Sequence, residues 1–204
     1  MVQLNLFNES EGFRFPGELL EYFPGFMETG AAIKLMHNLI EIVPWEQNVQ
    51  RMYDKEVLTP RLTAWYGDPD KVYHMAGRTL HMHPWLPELQ ELREKITATT
   101  GYTFNSVLLN LYRNENDSVA WHRDKESELG NRPVIASVSL GAARPFEFRQ
   151  LDNHSNKYAL TLSNGSLLLM KGDLQQHWEH RIAKAGYSMK PRLNLTFRSI
   201  RISP

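Results

Sequence analysis

The sequence predicts an α+β chain whose second half is a β-sandwich or jelly roll. Two amphipathic helical segments come first, short alternating runs take over after Gly101, and turn-rich pieces separate those runs. The first helix runs from about Thr29 to Ile42 and sets Ile33, Met36, Leu39 and Ile40 on one face, at spacings of three and four. The second, Leu86–Ala98, follows His83-Pro84, repeats Leu86, Leu89, Leu92 and Ile96, and stops at Gly101. The expected strands are Phe104–Tyr112, Val134–Leu140, Pro145–Arg149, Tyr158–Leu162, Leu167–Met170 and Arg192–Ile202. Between the fourth and fifth of these, Ser163-Asn164-Gly165-Ser166 is a strong hairpin signal.

Composition narrows the function class. With 42% hydrophobic and 11% aromatic residues, 204 residues can bury the core of one domain, and neither repeats nor linker-like stretches divide the chain. The absence of cysteine excludes disulfides, thiolate ligands and a cysteine nucleophile, so any metal must rest on His, Asp or Glu. No run of about 18 apolar residues reads as a membrane span. The start, Met1-Val2-Gln3-Leu4-Asn5-Leu6-Phe7, lacks the basic beginning of a secretory signal, so a cytoplasmic location is expected. Net charge is zero. Residues 1–100 carry 9 basic and 14 acidic side chains, and residues 171–204 carry 7 and 2, an asymmetry that solvated surface explains as well as a phosphate-facing end does.

Chemistry concentrates in four stretches. In Trp121-His122-Arg123-Asp124, an extended backbone projects His122 and Asp124 from one face, two ligands of a facial triad that leaves three iron positions open. A third ligand has two candidates in His177-Trp178-Glu179-His180, and spacing alone does not choose between His177 and His180. In Pro191-Arg192-Leu193-Asn194-Leu195-Thr196-Phe197-Arg198, period two sets Leu193, Leu195 and Phe197 on an apolar face, with Arg192, Asn194, Thr196 and Arg198 on the other. Enclosed in a barrel, those two guanidiniums are costly unless a dicarboxylate meets them. Asn110 and Tyr112 share a face of their own strand and can complete the hydrogen bonding of the same acid.

These stretches, in this order, resemble the AlkB family of iron(II)- and 2-oxoglutarate-dependent dioxygenases, and in particular the branch acting on alkylated DNA and RNA. Phe104–Tyr112, Trp121–Glu126, Trp178–Ile182 and Pro191–Arg198 carry the likeness, Pro60–Asp68 adds to it, and it covers about residues 43–201. The resemblance implies a double-stranded β-helix (jelly roll) with N-terminal helices packed on the outside. It implies a single domain over 1–204: a flexible arm over about 1–12, helices plus a substrate-recognition segment over about 13–100, and the catalytic core over about 101–204. It selects His180 over His177, so that His122, Asp124 and His180 hold Fe(II). Arg192 then takes the distal carboxylate of 2-oxoglutarate and Arg198 the chelating end, while Asn110, Tyr112, Asn194 and Thr196 complete the co-substrate site.

The implied reaction uses Fe(II), 2-oxoglutarate and O2 to dealkylate bases such as 1-methyladenine and 3-methylcytosine in DNA or RNA, releasing succinate, CO2 and formaldehyde. The target base is flipped out or already single-stranded. No membrane and no obligate protein partner is implied. For the substrate, Tyr66, Gly67 and Asp68 match the family, Trp65 and Tyr73 are further aromatic candidates, Glu126 matches an acidic position facing the base, and Arg149 ends a strand at the cleft. The alternative keeps the dioxygenase and moves the substrate to a protein, a lipid or a small molecule.

Overall fold

The computed structural model describes residues 14–52, 55–68, 73–75 and 78–201. The expected N-terminal arm over about 1–12 therefore lies outside the described residues. In chain order the elements are β1 (Leu20–Phe23), α1 (Thr29–Ile42), β2 (Val49–Met52), β3 (Lys55–Leu58), β4 (Leu62–Gly67), β5 (Tyr73–Met75), β6 (Arg78–Leu80), β7 (His83–Pro84) and α2 (Pro87–Thr100). Then follow β8 (Ser106–Tyr112), β9 (Val119–His122), β10 (Ile135–Gly141), β11 (Arg144–Gln150), β12 (Lys157–Leu162), β13 (Ser166–Met170), the one-turn α3 (Leu174–His177), β14 (Trp178–Ile182) and β15 (Arg192–Arg198). A seven-stranded sheet, β1-β13-β10-β15-β8-β4-β7, faces a four-stranded sheet, β12-β11-β14-β9.

Two cores flank the larger sheet, and its alternation feeds both. Leu167 and Leu169 of β13 turn to one core, Leu168 and Met170 to the other. The outer core takes Leu193, Leu195 and Phe197 of β15 and seats α1 through Ala32, Met36 and Leu39 and α2 through Leu89, Leu92 and Ile96. The helices thus lie outside the jelly roll, as anticipated. The inner core, between the sheets, holds Phe146, Phe148, Tyr158, Leu160, Trp178 and Ile182. Burying a side chain of this kind stabilises by about 1.5–3 kcal/mol, so either core far outweighs any single surface contact.

Several expectations change. Ile33 is 40% exposed, and the buried stripe of α1 is Ala32, Met36 and Leu39, continued by Val43 beyond the helix end. The turn Ser163–Ser166 is not a hairpin: β12 and β13 belong to different sheets, and the turn is the corner between them. Gly165 there has φ 73°, and a Cβ would sit 2.7 Å from the Met27 carbonyl oxygen. Turn chemistry specifies a reversal without naming the edge to which the chain returns. The last strand stops at Arg198 instead of Ile202, because the Asn105 amide takes over, donating to the Ile200 carbonyl at 2.7 Å and accepting from the Ile200 N–H at 2.8 Å. The first half also carries strands that the two-helix reading omitted, above all β4, which pairs with β8 inside the main sheet.

Candidate active site between the sheets

Register brings the four stretches together. On β14 and β9, His180 and His122 are directly opposed, with ring centroids 4.3 Å apart. Potential ligand atoms of His122, Asp124 and His180 all lie within 4.8 Å of one another. His177 ends the one-turn helix α3 on the exposed surface and joins no such cluster. The Nδ1 of His122 lies 2.9 Å from the Ala120 carbonyl oxygen, which can only accept, so Nδ1 carries the proton and Nε2 is left free for an ion. Asp124 is not on a strand, since β9 ends at His122. The strand alternation expected to align the two ligands is replaced by a loop whose Asp124 N–H is held by Gln175 at 3.0 Å.

Burial would raise the Asp124 carboxyl, but the Arg198 guanidinium, with His180 and His122, outweighs it and holds the group at about 2. Arg198 Nη2 donates to Asp124 Oδ2 at 2.9 Å. Burial, with His122 and Arg198 adding to it and Asp124 opposing, lowers His180 to about 3. The cluster therefore meets a cation as a carboxylate beside neutral imidazole, the protonation that metal binding requires.

The cluster opens into a cavity of about 160 Å³. Pairing of β15 with β8 puts Asn194 opposite Asn110 and Arg192 opposite Tyr112 on its wall. Not all of these polar groups are free. Asn194 Nδ2 donates to Ser137 Oγ at 2.7 Å, and Thr196 Oγ1 donates to Asn194 Oδ1 at 2.8 Å. The arginines differ: Arg192 spends Nη2 on Ser139 Oγ, while its Nε and Nη1, like Nε and Nη1 of Arg198, are buried with no hydrogen-bond partner among the described residues. Burial lowers Arg192 to about 10, with Tyr112 opposing, and leaves it a cation at neutral pH. Two guanidiniums with four unspent N–H-bearing nitrogens are a costly arrangement that an entering dicarboxylate satisfies.

The other candidates separate. Glu126 lines the cavity, and its Oε2 is buried without a partner among the described residues. Trp65 also lines it, with the Arg198 guanidinium 5.8 Å from its ring centroid. Tyr66 does not: it is 2% exposed within the outer core, against His83. Gly67 ends β4, paired with Ser106, and Asp68 accepts from Trp85 Nε1 at 2.9 Å. Arg149 pairs with Glu179 on the far face of the smaller sheet. These four therefore lie off the wall of this cavity, because β4 alternates Trp65 inward and Tyr66 outward and β11 turns Phe146 and Phe148 inward. The Tyr73 side chain lies outside the described residues.

Arg61 was missed. It lines the cavity, donating from Nε to Asn110 Oδ1 at 2.9 Å and from Nη1 to the Ser118 carbonyl. The signal was period two through Arg61, Thr63 and Trp65, legible once β4 is read as a strand. Buried Arg144 was also missed. It donates to the carbonyls of Asp117 and Ala183 and so ties the loop after β8 to the end of β14.

Residues 19–198 match the family model of the 2OG-Fe(II) oxygenase superfamily. The chain belongs to that superfamily. The chain is 42% identical over 190 residues to alpha-ketoglutarate-dependent dioxygenase alkB homolog 3 of Homo sapiens, covering 89% of this chain and 66% of that protein. To DNA oxidative demethylase ALKBH2 of Bos taurus it is 40% identical over 157 residues, 74% of this chain and 56% of the relative. The chain thus spans just under two thirds of the length of the first relative and less of the second. The solved structure of OsALKBH1 superposes with a TM-score of 0.62 over 92% of this chain and all of that one, at 15% identity, a likeness of fold. No helix among the described residues is long and apolar enough to cross a membrane.

Proposed function

We propose that the chain is an iron(II)- and 2-oxoglutarate-dependent dioxygenase that dealkylates N-alkylated bases, such as 1-methyladenine and 3-methylcytosine, in DNA or RNA. The observation that carries the reading is one cavity with a three-ligand cluster at one end and buried guanidinium nitrogens lacking partners along its wall. His122, Asp124 and His180 would hold the iron. Arg192 and Arg198 would bind the two ends of 2-oxoglutarate, with Asn110 and Tyr112 beside them and Asn194 and Thr196 bracing the wall. When bound, iron, co-substrate and dioxygen supply the oxidation of the N-alkyl carbon that ends in succinate, CO2, formaldehyde and the free base.

The chain's own contribution is position and exclusion of water. Neutral His180 and ionised Asp124 are ready ligands without prior proton loss at neutral pH. Phe146, its ring 5.1 Å from that of His180, walls the cluster on its apolar side. Glu126 would meet a cationic alkylated base and Trp65 its ring, once the base is flipped out or taken from a single strand, and lesions that have lost pairing cost least to extrude. Tyr66, Gly67, Asp68 and Arg149 do not line the cavity, so the part they take in substrate binding would be played outside it. The proposal keeps one domain over 1–204, with helices and a substrate-recognition segment within about 13–100 and the catalytic core over about 101–204, in a cytoplasmic protein without an obligate partner. The relatives' names, alkB homolog 3 and DNA oxidative demethylase, support a nucleic-acid substrate.

Formaldehyde release from methylated DNA and RNA oligonucleotides, single- and double-stranded, tests it. Release that needs iron, 2-oxoglutarate and oxygen is the expected result. The zero net charge gives no general pull on a polyanion and favours the competing protein, lipid or small-molecule substrate. Uncoupled turnover of 2-oxoglutarate that no alkylated oligonucleotide stimulates would decide for that reading.

A further inference from the structure

From the site's geometry we infer that Gln175 is a positioning residue for the aspartate of the three-ligand cluster. The inference rests on the proposed metal site and deepens it. Asp124 lies past the end of β9, where the pairing with β14 has stopped and no ladder bond holds its backbone. Its N–H donates to Oε1 of Gln175 at 3.0 Å, and Gln175 is 3% exposed on the α3 turn. The amide is oriented from its other end, since Nε2 points to Met170 Sδ at 3.9 Å, a weak contact that still leaves Oε1 facing Asp124. One carbonyl oxygen thus substitutes for the missing ladder bond at the one ligand that is off the sheet.

Around it the same turn clasps the loop that carries Asp124 and Glu126. Arg123 Nη1 donates to the Gln176 carbonyl at 3.3 Å, Gln176 Nε2 to Asn131 Oδ1 at 3.0 Å, and Arg132 pairs with Asp173 at 2.9 Å. Those contacts are at the surface, where such pairs contribute little. The Gln175 bond is buried, so its loss leaves the Asp124 N–H unsatisfied and lets the carboxylate depart from the geometry set by His122 and His180.

Gln175→Met keeps volume and removes the acceptor. Titration of the whole protein with Mn(II), without turnover, should show affinity weakened by about 10-fold or more, the usual scale for a group that orients a ligand. Amide hydrogen exchange at Asp124 in the metal-free protein should quicken while amides of β14 keep their rates. Gln176→Ala, which removes only the Asn131 contact, should leave Mn(II) affinity within about 2-fold of wild type, on the small scale of surface pairs. Unchanged Mn(II) binding by Gln175→Met overturns the inference, as does an equal loss in Gln176→Ala, which would assign positioning to the surface clasp. Should the methionine variant not fold, Gln175→Asn, whose amide is drawn back by one methylene, decides by the same readouts. A wild-type protein that binds no Mn(II) defeats the metal site itself, a separate result.

Discussion

Two pairs of arginines, on facing sheets, show how differently one side chain is used. Arg149 and Arg181 lie on the outer face of the smaller sheet with their guanidiniums 4.4 and 4.5 Å from the Trp121 ring centroid, Arg149 held by Glu179 and Arg181 by Glu147 at 2.6 Å. Each cation there has its counter-ion and its stacking partner, and the ladder is complete within the chain. Arg192 and Arg198, at the cavity, are 1% and 7% exposed and keep unspent N–H groups. A buried cation without its full set of partners costs the folded state free energy, and that cost points to a ligand. The outer pair shows what arginines look like when the fold itself is their purpose.

The comparison extends to histidines, where the expected effect is largest. His180→Ala should abolish turnover and metal binding, while His177→Ala, on the exposed turn, should leave most of both. Metal titration and formaldehyde release check it, and the reverse outcome would move the site to α3.

For the arginines, Arg192→Met should weaken 2-oxoglutarate binding by at least about 30-fold, as losing one partner of a buried charge pair costs about 2–5 kcal/mol. The same change should hold or raise the melting temperature of the ligand-free protein, since an unpaired buried charge is removed. Arg149→Ala should do the opposite, leaving 2-oxoglutarate affinity unchanged and lowering stability by no more than about 1 kcal/mol. Calorimetric titration and thermal unfolding of both variants would break the contrast if the two behaved alike.

A further effect is on acid stability. Folded His180 stays neutral down to about 3, whereas in the unfolded chain it takes up a proton near 6.5. Below that value the unfolded chain binds more protons, so stability of the metal-free protein falls as pH drops from about 6.5 towards 3. Asp124, depressed from 3.8 to about 2, contributes stability above the higher value that is lost between the two. His180→Gln should flatten the first portion of a denaturation series run against pH. An unaltered slope would mean that His180 is not the group responsible.

Much of this was legible because the chemistry sits on regular strands. The alternation Arg192-Leu193-Asn194-Leu195-Thr196-Phe197-Arg198 separates core from cavity with no tertiary information, and the structure keeps that division. Leu62–Gly67 was not legible: four of its six residues are buried, without strict alternation, and such a strand shows no clean period. Tyr66 sits in sequence beside the cavity residue Trp65, and Arg149 beside the inner-core residue Phe148, yet one residue along a strand is the opposite face. Arg61 shows only as the cavity-side phase of β4, and Gln175 carried no motif of its own, because its part is to hold another residue.

The sequence by itself determined the two outer helices, most strands of the second half, the ligand types available to a chain without cysteine, and the polar face of the last strand. These follow from local periodicity and composition. Tertiary structure alone decided that the Ser163–Ser166 turn crosses between sheets, that His180 stands opposite His122, and that Asp124 hangs on Gln175. Those are pairings between segments distant in the chain, and a distant pairing is set by which edges and faces remain to be buried after the local elements form, a balance that no window of sequence contains.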